Sequence, residues 1–410
     1  MPDYHIHTLP NGIRIVHKQV LHTKIAHSGF ILDIGSRDEL PNQTGIAHFW
    51  EHMAFKGTEK RRSFHILNRL ESVGGELNAY TTKEKICFYS SVLDKHFDKS
   101  FELLTDITFR SVFPEREIEK ERGVILEEMA MYLDTPEDAI VDEFDAVVYD
   151  KHPLGNNILG TKESVSRFAR QDFLDFLDRT LSTDSLLFCS VSNLPFEKVL
   201  KLAEKHLGDI PEIKKQRERV PFSSYMPKAI TLEKPISQAH CVIGSPAYAL
   251  SDDRRIPFFM LVNLLGGPGM NSRLNLAVRE KHGLVYTIDA NYATYIDTGL
   301  LTIYFGTEKK QLKRTTSLVL KELKKLREVP LGSLQLHTAK EQLMGQLAMA
   351  EESNMGLMMM IGKSILDQGH VDSLNDIFGQ IKNITATDLT DIANDALRED
   401  QLSFLNYVPA

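Results

Sequence analysis

Cysteines and long hydrophobic runs are scarce in this chain of 410 residues, and each scarcity excludes a class of protein. The three cysteines, Cys87, Cys189 and Cys241, are too far apart for a disulfide framework or a CxxC metal site, so we expect three buried thiols. No apolar run approaches the roughly 18 residues that a membrane span needs. The first 18 residues have neither the apolar core of a secretory signal nor the Arg/Ser richness of a mitochondrial presequence. We therefore expect a cytoplasmic protein without membrane contact, from a bacterium rather than from a mitochondrial matrix.

A surplus of basic residues is missing as well. The chain has 48 Lys and Arg against 56 Asp and Glu, a net charge of -8, which argues against nucleic acid as a partner because phosphates attract basic proteins. The acidic excess is concentrated in one segment. Residues 115–145 hold 12 acidic and 3 basic residues, a balance of -9, so the rest of the chain sums to about +1.

The remaining composition is that of a globular protein. Hydrophobic residues make up 42% and charged residues 25%, and at roughly 100–200 residues per domain the length suggests two domains. The stretch 209–235 changes character, because it holds four prolines and the charged run 214–219, which we interpret as the solvated face of a linker. We therefore expect one domain at 1–208 and a second at 236–410.

Strand and helix patterns recur in the same order in both halves. The first half predicts a helix from Thr44 to near Gly57, a strand over 77–92 and a long helix over 115–133. The second half predicts a helix at 252–265, two strands near 285–306 and further helices. The sequence thus predicts an α+β fold of two similar domains from an internal duplication, each a mainly antiparallel sheet packed with helices.

The most specific local pattern is His48-Phe49-Trp50-Glu51-His52, on the first of these helices. Residues four apart share a helix face, so the imidazoles of His48 and His52 can reach one metal ion. Glu51 neighbours both and can take a proton from a water molecule there. Two imidazoles and a carboxylate with one open position suit zinc, so the pattern predicts a hydrolytic zinc site with the order of HExxH reversed.

A third ligand, a carboxylate, is expected on a separate element. The helix 115–133 offers Glu121 and Glu128, which share a face two turns apart, and Glu127, which lies about 100° away. Periodicity does not choose among the three, and each also fits a solvated acidic face. The second half has no matching motif, since its helix at 252–265 contains no histidine.

These motifs and several others resemble the inverted-zincin metallopeptidases typified by mitochondrial processing peptidase and pitrilysin. The resemblance spans nearly the whole chain, and its most specific part is the segment around the HxxEH core. The segments that carry it are TLPNGIRIV at 8–16, GIAHFWEHMAFKGT at 45–58, GGELNAYT at 74–81, ERGVILEE at 121–128, SRL at 272–274 and REKHGLVY at 279–286.

The resemblance implies a role for each residue of the metal site. His48, His52 and Glu128 would be the ligands of one zinc ion per chain. Glu51 would be the general base, and Glu121 would be an auxiliary catalytic carboxylate.

The resemblance also implies residues that handle the substrate. Arg279 and Tyr286 would be a catalytic pair from the second half that closes over the substrate, where the hydroxyl can bond the reacting carbonyl oxygen. Asn78 and Ala79 would line a cleft in which the edge of the strand binds an extended peptide. One departure is Ala130, which stands where many members of the family have another acid.

The function implied is that of a zinc endopeptidase, which hydrolyses peptides or unfolded segments bound in extended form in an enclosed chamber. Chains of the short form pair, so we expect a homodimer or a heterodimer with a metal-less homologue. The acidic segment next to Glu128 favours basic peptides. One alternative is a non-catalytic peptide-binding or assembly subunit, which the intact HxxEH motif argues against. The other is a metal hydrolase of non-peptide substrates, which the substrate-handling residues argue against.

Overall fold

Strands and helices alternate along the chain in a computed structural model that describes residues 4–410. The strands are β1 (His5–Thr8), β2 (Arg14–Gln19), β3 (Ile25–Leu32), β4 (Glu76–Thr81), β5 (Ile86–Leu93), β6 (Leu186–Ser192), β7 (Ala229–Lys234), β8 (Ala239–Ala247), β9 (Val285–Thr294), β10 (Gly299–Thr307) and β11 (Ser403–Pro409). The helices are α1 (Ile46–Met53), α2 (Ser63–Glu71), α3 (Phe97–Phe109), α4 (Glu115–Leu133), α5 (Pro136–Val148), α6 (Lys162–Val165), α7 (Arg170–Thr180), α8 (Phe196–Leu207), α9 (Arg255–Gly266), α10 (Leu312–Glu328), α11 (Ser333–Glu351), α12 (Asn354–Gln368), α13 (Leu374–Asn383) and α14 (Ala386–Ala396). Among the described residues, none of these helices is long and apolar enough to cross a bilayer.

The first sheet has six strands in the order β1-β2-β6-β3-β5-β4. The β2–β6 pair is parallel and the other pairs are antiparallel. The central strand β6 is buried along its whole length. Helix α12 packs on β6 and β3, α3 packs on β3 and β5, and α8 packs on β2. At the free edge, the first four residues of β4 (Glu76 to Ala79) alternate between exposed and half-buried.

The second sheet repeats this plan. Its order is β7-β11-β8-β10-β9, with β7–β11 parallel and the other pairs antiparallel. Replacing β2, β6, β3, β5 and β4 by β7, β11, β8, β10 and β9 gives the same order and the same directions. The prediction of two similar, mainly antiparallel domains is confirmed, and α9 is the counterpart of α1.

The compact units of the chain are built from alternating segments. The first comprises residues 4–129, 156–220 and 349–371, and the second comprises 130–155, 221–348 and 372–410. Apolar contacts explain the exchanged segments, since Phe144 of α5 packs in a cluster with Val242 of β8, and Gly362 of α12 lies against Ile31 of β3. The expected contiguous domains therefore differ from the compact units in these two segments.

The strand predicted over 77–92 is in fact the hairpin of β4 and β5. The two strands pair from Glu76↔Ser91 to Thr81↔Ile86, and Thr82 N–H donates to Lys85 O (2.8 Å) across the turn. A single strand of this length would exceed the usual 3–10 residues. The turn, residues 82–85, contains no glycine, asparagine or proline.

The interpretation of 214–219 as a solvated face is wrong for two of its arginines. Arg217 contacts Asp33 (2.5 Å), and Arg219 contacts Asp33 (3.0 Å) and Asp38 (2.8 Å). Burial alone would raise the pKa of Asp33, but Arg219, Lys85 and Arg217 together lower it to about 2. This part of the expected linker is therefore held on the first unit by part-buried ion pairs.

Candidate metal centre

Helix α1 carries the HxxEH motif and is fixed in the core by its apolar face. Phe49, Trp50 and Met53 are fully buried in the first core cluster. His48 and His52 lie one turn apart, and their ring centroids are separated by 4.6 Å. The apolar residues of α1 therefore anchor the helix in the core, and this position brings the rings of His48 and His52 side by side.

The two histidines meet a single carboxylate of α4. Glu128 Oε2 lies 3.8 Å from His48 Nε2 and 3.5 Å from His52 Nε2, and the three candidate ligand atoms lie within 4.8 Å of one another. Ligands held at about 2.0–2.1 Å from tetrahedral zinc are roughly 3.4 Å apart. The spacing of these three atoms, and their chemistry of two imidazoles and one carboxylate, therefore fit a zinc ion.

The orientation of α4 distinguishes the three candidate glutamates. Ile118, Ile125 and Met129 are buried and fix the inward face of the helix. Glu128 lies beside this face and is half-buried, whereas its neighbour Glu127 is exposed. The structure therefore brings Glu128, and not Glu127, to the histidines.

Glu121 contacts His52 from the side away from Glu128. Its Oε1 lies 3.0 Å from His52 Nδ1, and its Oε2 lies 2.6 Å from Lys56 Nζ. Burial alone would raise the pKa of Glu121, but the hydrogen bonds of His52 and Lys56 hold that pKa below its ordinary value. An ionised Glu121 fixes the ring of His52 with Nε2 free to bind a metal.

His48 is held differently. Burial, together with the neighbouring His52, lowers the pKa of His48 to about 3, so the ring is neutral at physiological pH, the form that binds metals. Its Nδ1 is buried and has no hydrogen-bond partner among residues 4–410. No side chain therefore fixes this ring as Glu121 fixes His52.

Glu51 lies beside the ligands and contacts the end of β4. Thr81 Oγ1 donates to Glu51 Oε2 at 2.6 Å. Burial raises the pKa of Glu51 above the ordinary glutamate value, with the hydrogen bond from Thr81 opposing the shift. A carboxylate with a raised pKa is a better proton acceptor near neutral pH.

The predicted cleft residues lie on β4, the free edge of the first sheet. Asn78 pairs with Tyr89 and Ala79 with Phe88 of β5, and the Ala79 N–H donates to the side-chain oxygen of Asn78 (2.8 Å). The same strand ends at Thr81, next to Glu51. A peptide added to this edge would therefore run past the candidate base.

The substrate pair predicted from the second half lies in the second unit. Arg279 belongs to the π-helical segment Asn275–Glu280, and its guanidinium lies 5.7 Å from the ring centre of Tyr286 at the start of β9. Tyr286 is 85% exposed. The structure brings these two side chains together, and both are accessible.

Three residues at the site were not predicted from the sequence. Lys56 lies one turn after His52, and Thr81 lies two positions after Ala79 on the same strand, so helix and strand periodicity are signals for both. Glu39 contacts the start of α1 from a loop. No local periodicity connects Glu39 with the motif.

Two similar domains, with residues that could hold a metal ion in one of them, define the class of protein, and comparison with known proteins identifies the family. Residues 14–162 match the profile of Insulinase (Peptidase family M16), and residues 167–343 match that of the Peptidase M16 inactive domain. The uncharacterized zinc protease YmxG of Bacillus subtilis is 32% identical over 394 residues, which cover 96% of each chain. An uncharacterized zinc protease of Rickettsia felis is 33% identical over 394 residues, covering 96% of this chain and 94% of the relative. The chain belongs to peptidase family M16, which confirms the resemblance seen in its motifs.

Solved structures show the same fold. A protease from Helicobacter pylori has a TM-score of 0.91 at 21% identity, with both chains fully covered. A structure from Pseudomonas fluorescens, described as a peptidase M16 inactive domain, has a TM-score of 0.92 at 17% identity and covers 100% of this chain and 98% of its own. The two-sheet α+β architecture is therefore that of known M16 proteins.

Proposed function

We propose that this chain is a zinc-dependent endopeptidase. The observation that carries the proposal is that His48, His52 and Glu128 converge on one point. A second carboxylate, that of Glu51, lies beside them and is hydrogen-bonded by Thr81. Family membership and the names of the relatives support a peptidase. A non-catalytic subunit would not need Glu51 to be kept beside an intact ligand set.

The residues divide the chemistry among them. Zinc bound by His48, His52 and Glu128 would supply Lewis acidity, which acidifies a water molecule and polarises a peptide carbonyl. Glu51 would accept a proton from a water molecule in the site and would later deliver it to the leaving amine nitrogen. Thr81 holds the carboxylate of Glu51 in place.

The substrate is proposed to bind in extended form along β4. Backbone hydrogen bonds to an edge strand hold a peptide without requiring a particular sequence. Asn78 and Ala79 would lie beneath it, and Arg279 and Tyr286 would contact it from the second unit. We propose that the enclosed chamber arises when two chains pair, as a homodimer or with a metal-less homologue.

The test is the substitution Glu51→Gln, measured by zinc analysis and by cleavage of an unstructured peptide. We expect about one zinc ion per chain in both proteins and a loss of turnover of at least about 100-fold in the variant, because the amide cannot accept the proton. Restoration of wild-type activity by zinc after chelation serves as the positive control. Equal turnover in both proteins would refute the role of Glu51, and zinc binding without any cleavage by wild type would favour the non-catalytic subunit.

A further inference from the structure

Glu39 is a buried carboxyl group that contacts backbone at the start of α1. Its side chain is remote from solvent, and the residue is only 6% exposed. Oε2 accepts a hydrogen bond from the Gly45 N–H and Oε1 accepts one from the Ala47 N–H, both at 2.9 Å. The two oxygens therefore hold two of the backbone donors that a helix N-terminus leaves without a helical partner.

The start of α1 cannot provide its own cap. Gly45 occupies the N-cap position with φ +93°, and a Cβ there would lie 2.5 Å from Leu159 O. Only glycine fits this position, and glycine has no side chain to accept the N–H bonds. Glu39 supplies the missing acceptors from six residues earlier in the chain.

The chain caps other helices in a simpler way. Helices α13 and α14 begin with exposed capping boxes, in which Ser373 pairs with Asp376 and Thr385 with Asp388. At α1 the capping carboxyl is buried instead, and burial raises the pKa of Glu39 to about 8 despite the two N–H donors. A buried carboxyl is a less stable cap than an exposed one, so its position calls for a reason beyond capping.

The reason lies in the first turn of the helix. His48 follows Ala47 directly, and its buried Nδ1 has no hydrogen-bond partner in the described chain, whereas His52 is fixed by Glu121. The orientation of the His48 ring is therefore set by the backbone of the first turn and by packing. Glu39 holds that backbone at two points, one of them the residue before His48.

We propose that Glu39 is the positioning residue for His48, fixing the first turn of α1 so that the imidazole points at the metal. The inference rests on the metal site of the proposed function, and it extends that site to a residue outside the motif. The two histidines are then positioned by different carboxylates: Glu121 acts on a ring nitrogen, and Glu39 acts through the main chain.

The experiment compares Glu39→Gln with Asp388→Asn, a matched loss of a capping carboxylate in the second unit. Each protein is titrated with zinc in competition with a chromophoric chelator, loaded with cobalt(II) for its absorption spectrum, and melted to obtain Tm. We expect both variants to lose thermal stability. Only Glu39→Gln should bind zinc about 10–100-fold more weakly and show shifted cobalt bands, because its amide NH₂ opposes one of the two N–H donors.

Wild-type zinc affinity and cobalt spectrum in Glu39→Gln, with a lowered Tm, would overturn the inference and leave Glu39 as a structural cap. If Glu39→Gln does not fold, Glu39→Asp decides the question by the same measurements, since it keeps the carboxyl group but is one methylene too short to reach both donors. These readouts need no turnover. A wild type that binds zinc but cleaves nothing contradicts the proposed function and leaves this test intact.

Discussion

Glu127 and Glu128 are neighbours in sequence, and only the turn of α4 gives them different surroundings. Spacing within five residues is enough to predict that His48 and His52 share a metal, because both lie on one short helix. The third ligand is on another helix, and its choice depends on how α4 packs on the core. From the residues alone, three candidates remain for the third ligand, and the family resemblance selects Glu128.

The pKa of Asp33 depends on the packing of a segment that is distant in sequence, residues 214–219. Its ordinary pKa of 3.8 is lowered to about 2 in the fold, so the ionised form stabilises the protein above about pH 4 and this contribution is lost as the pH falls through 2. The shift corresponds to about 2 kcal/mol. Within the first unit, the ion pairs of Asp33 with Arg217 and Arg219 therefore stabilise the packing of the segment 214–219 beside the end of β3.

We predict that Asp33→Asn lowers the free energy of unfolding at pH 6. It should also make this free energy depend less on pH between pH 6 and pH 2. The free energy of unfolding, measured by urea titration from pH 6 down to pH 2, should fall by about 2 kcal/mol less in the variant than in wild type. Asp178→Asn, which removes an exposed ion pair with Lys215 on the same segment, should change stability by less than about 1 kcal/mol. Parallel curves for wild type and Asp33→Asn would contradict the account.

At the scale of elements, the sequence predicts helices well where an apolar face and end signals coincide. The helix expected over 115–133 is α4, and that expected at 252–265 is α9 (Arg255–Gly266). The sequence does not predict the hairpin of β4 and β5, because its charged turn has no glycine, asparagine or proline to mark it. It does not predict the inward direction of Arg217 and Arg219 either, because an ion pair between residues about 180 positions apart leaves no local pattern.

The edge strand β4 provides the prediction for peptide binding. Ala79→Pro removes the Ala79 N–H, which donates to the Asn78 side chain, and proline is tolerated on a sheet edge. We expect KM for an extended peptide of about ten residues to rise roughly tenfold, with zinc content unchanged, because one backbone bond to the substrate is lost. Ala79→Ser keeps the N–H and should behave like wild type. An unchanged KM in Ala79→Pro would place the substrate elsewhere.

At the scale of the whole molecule, the two similar units differ in the residues that could hold a metal ion. Five strands of the first sheet follow the same order as the five of the second, yet the candidate metal ligands lie on α1 and α4, while α9 has no histidine. The repeat of element order was visible in the sequence. The exchange of α5 and α12 between the compact units was not, since it depends on which apolar face each segment covers.

The acidic segment now divides into residues with different surroundings. Glu121 contacts His52 and Lys56, Glu119 pairs with Arg122, and Glu137 and Asp138 are exposed. Its charge is therefore partly neutralised within the chain. A preference for basic peptides stays a prediction, as does the pairing of two chains.

The most direct test of the central claim is the zinc affinity and peptide cleavage of Glu128→Gln beside those of Glu127→Gln. The two variants remove the same charge from adjacent positions of α4, so their net charges are matched. We predict that Glu127→Gln keeps about one zinc ion per chain and wild-type cleavage, whereas Glu128→Gln binds zinc at least about 100-fold more weakly and is inactive, because a metal ligand has been lost. Equal zinc binding and cleavage in both variants would contradict the assignment of the metal centre.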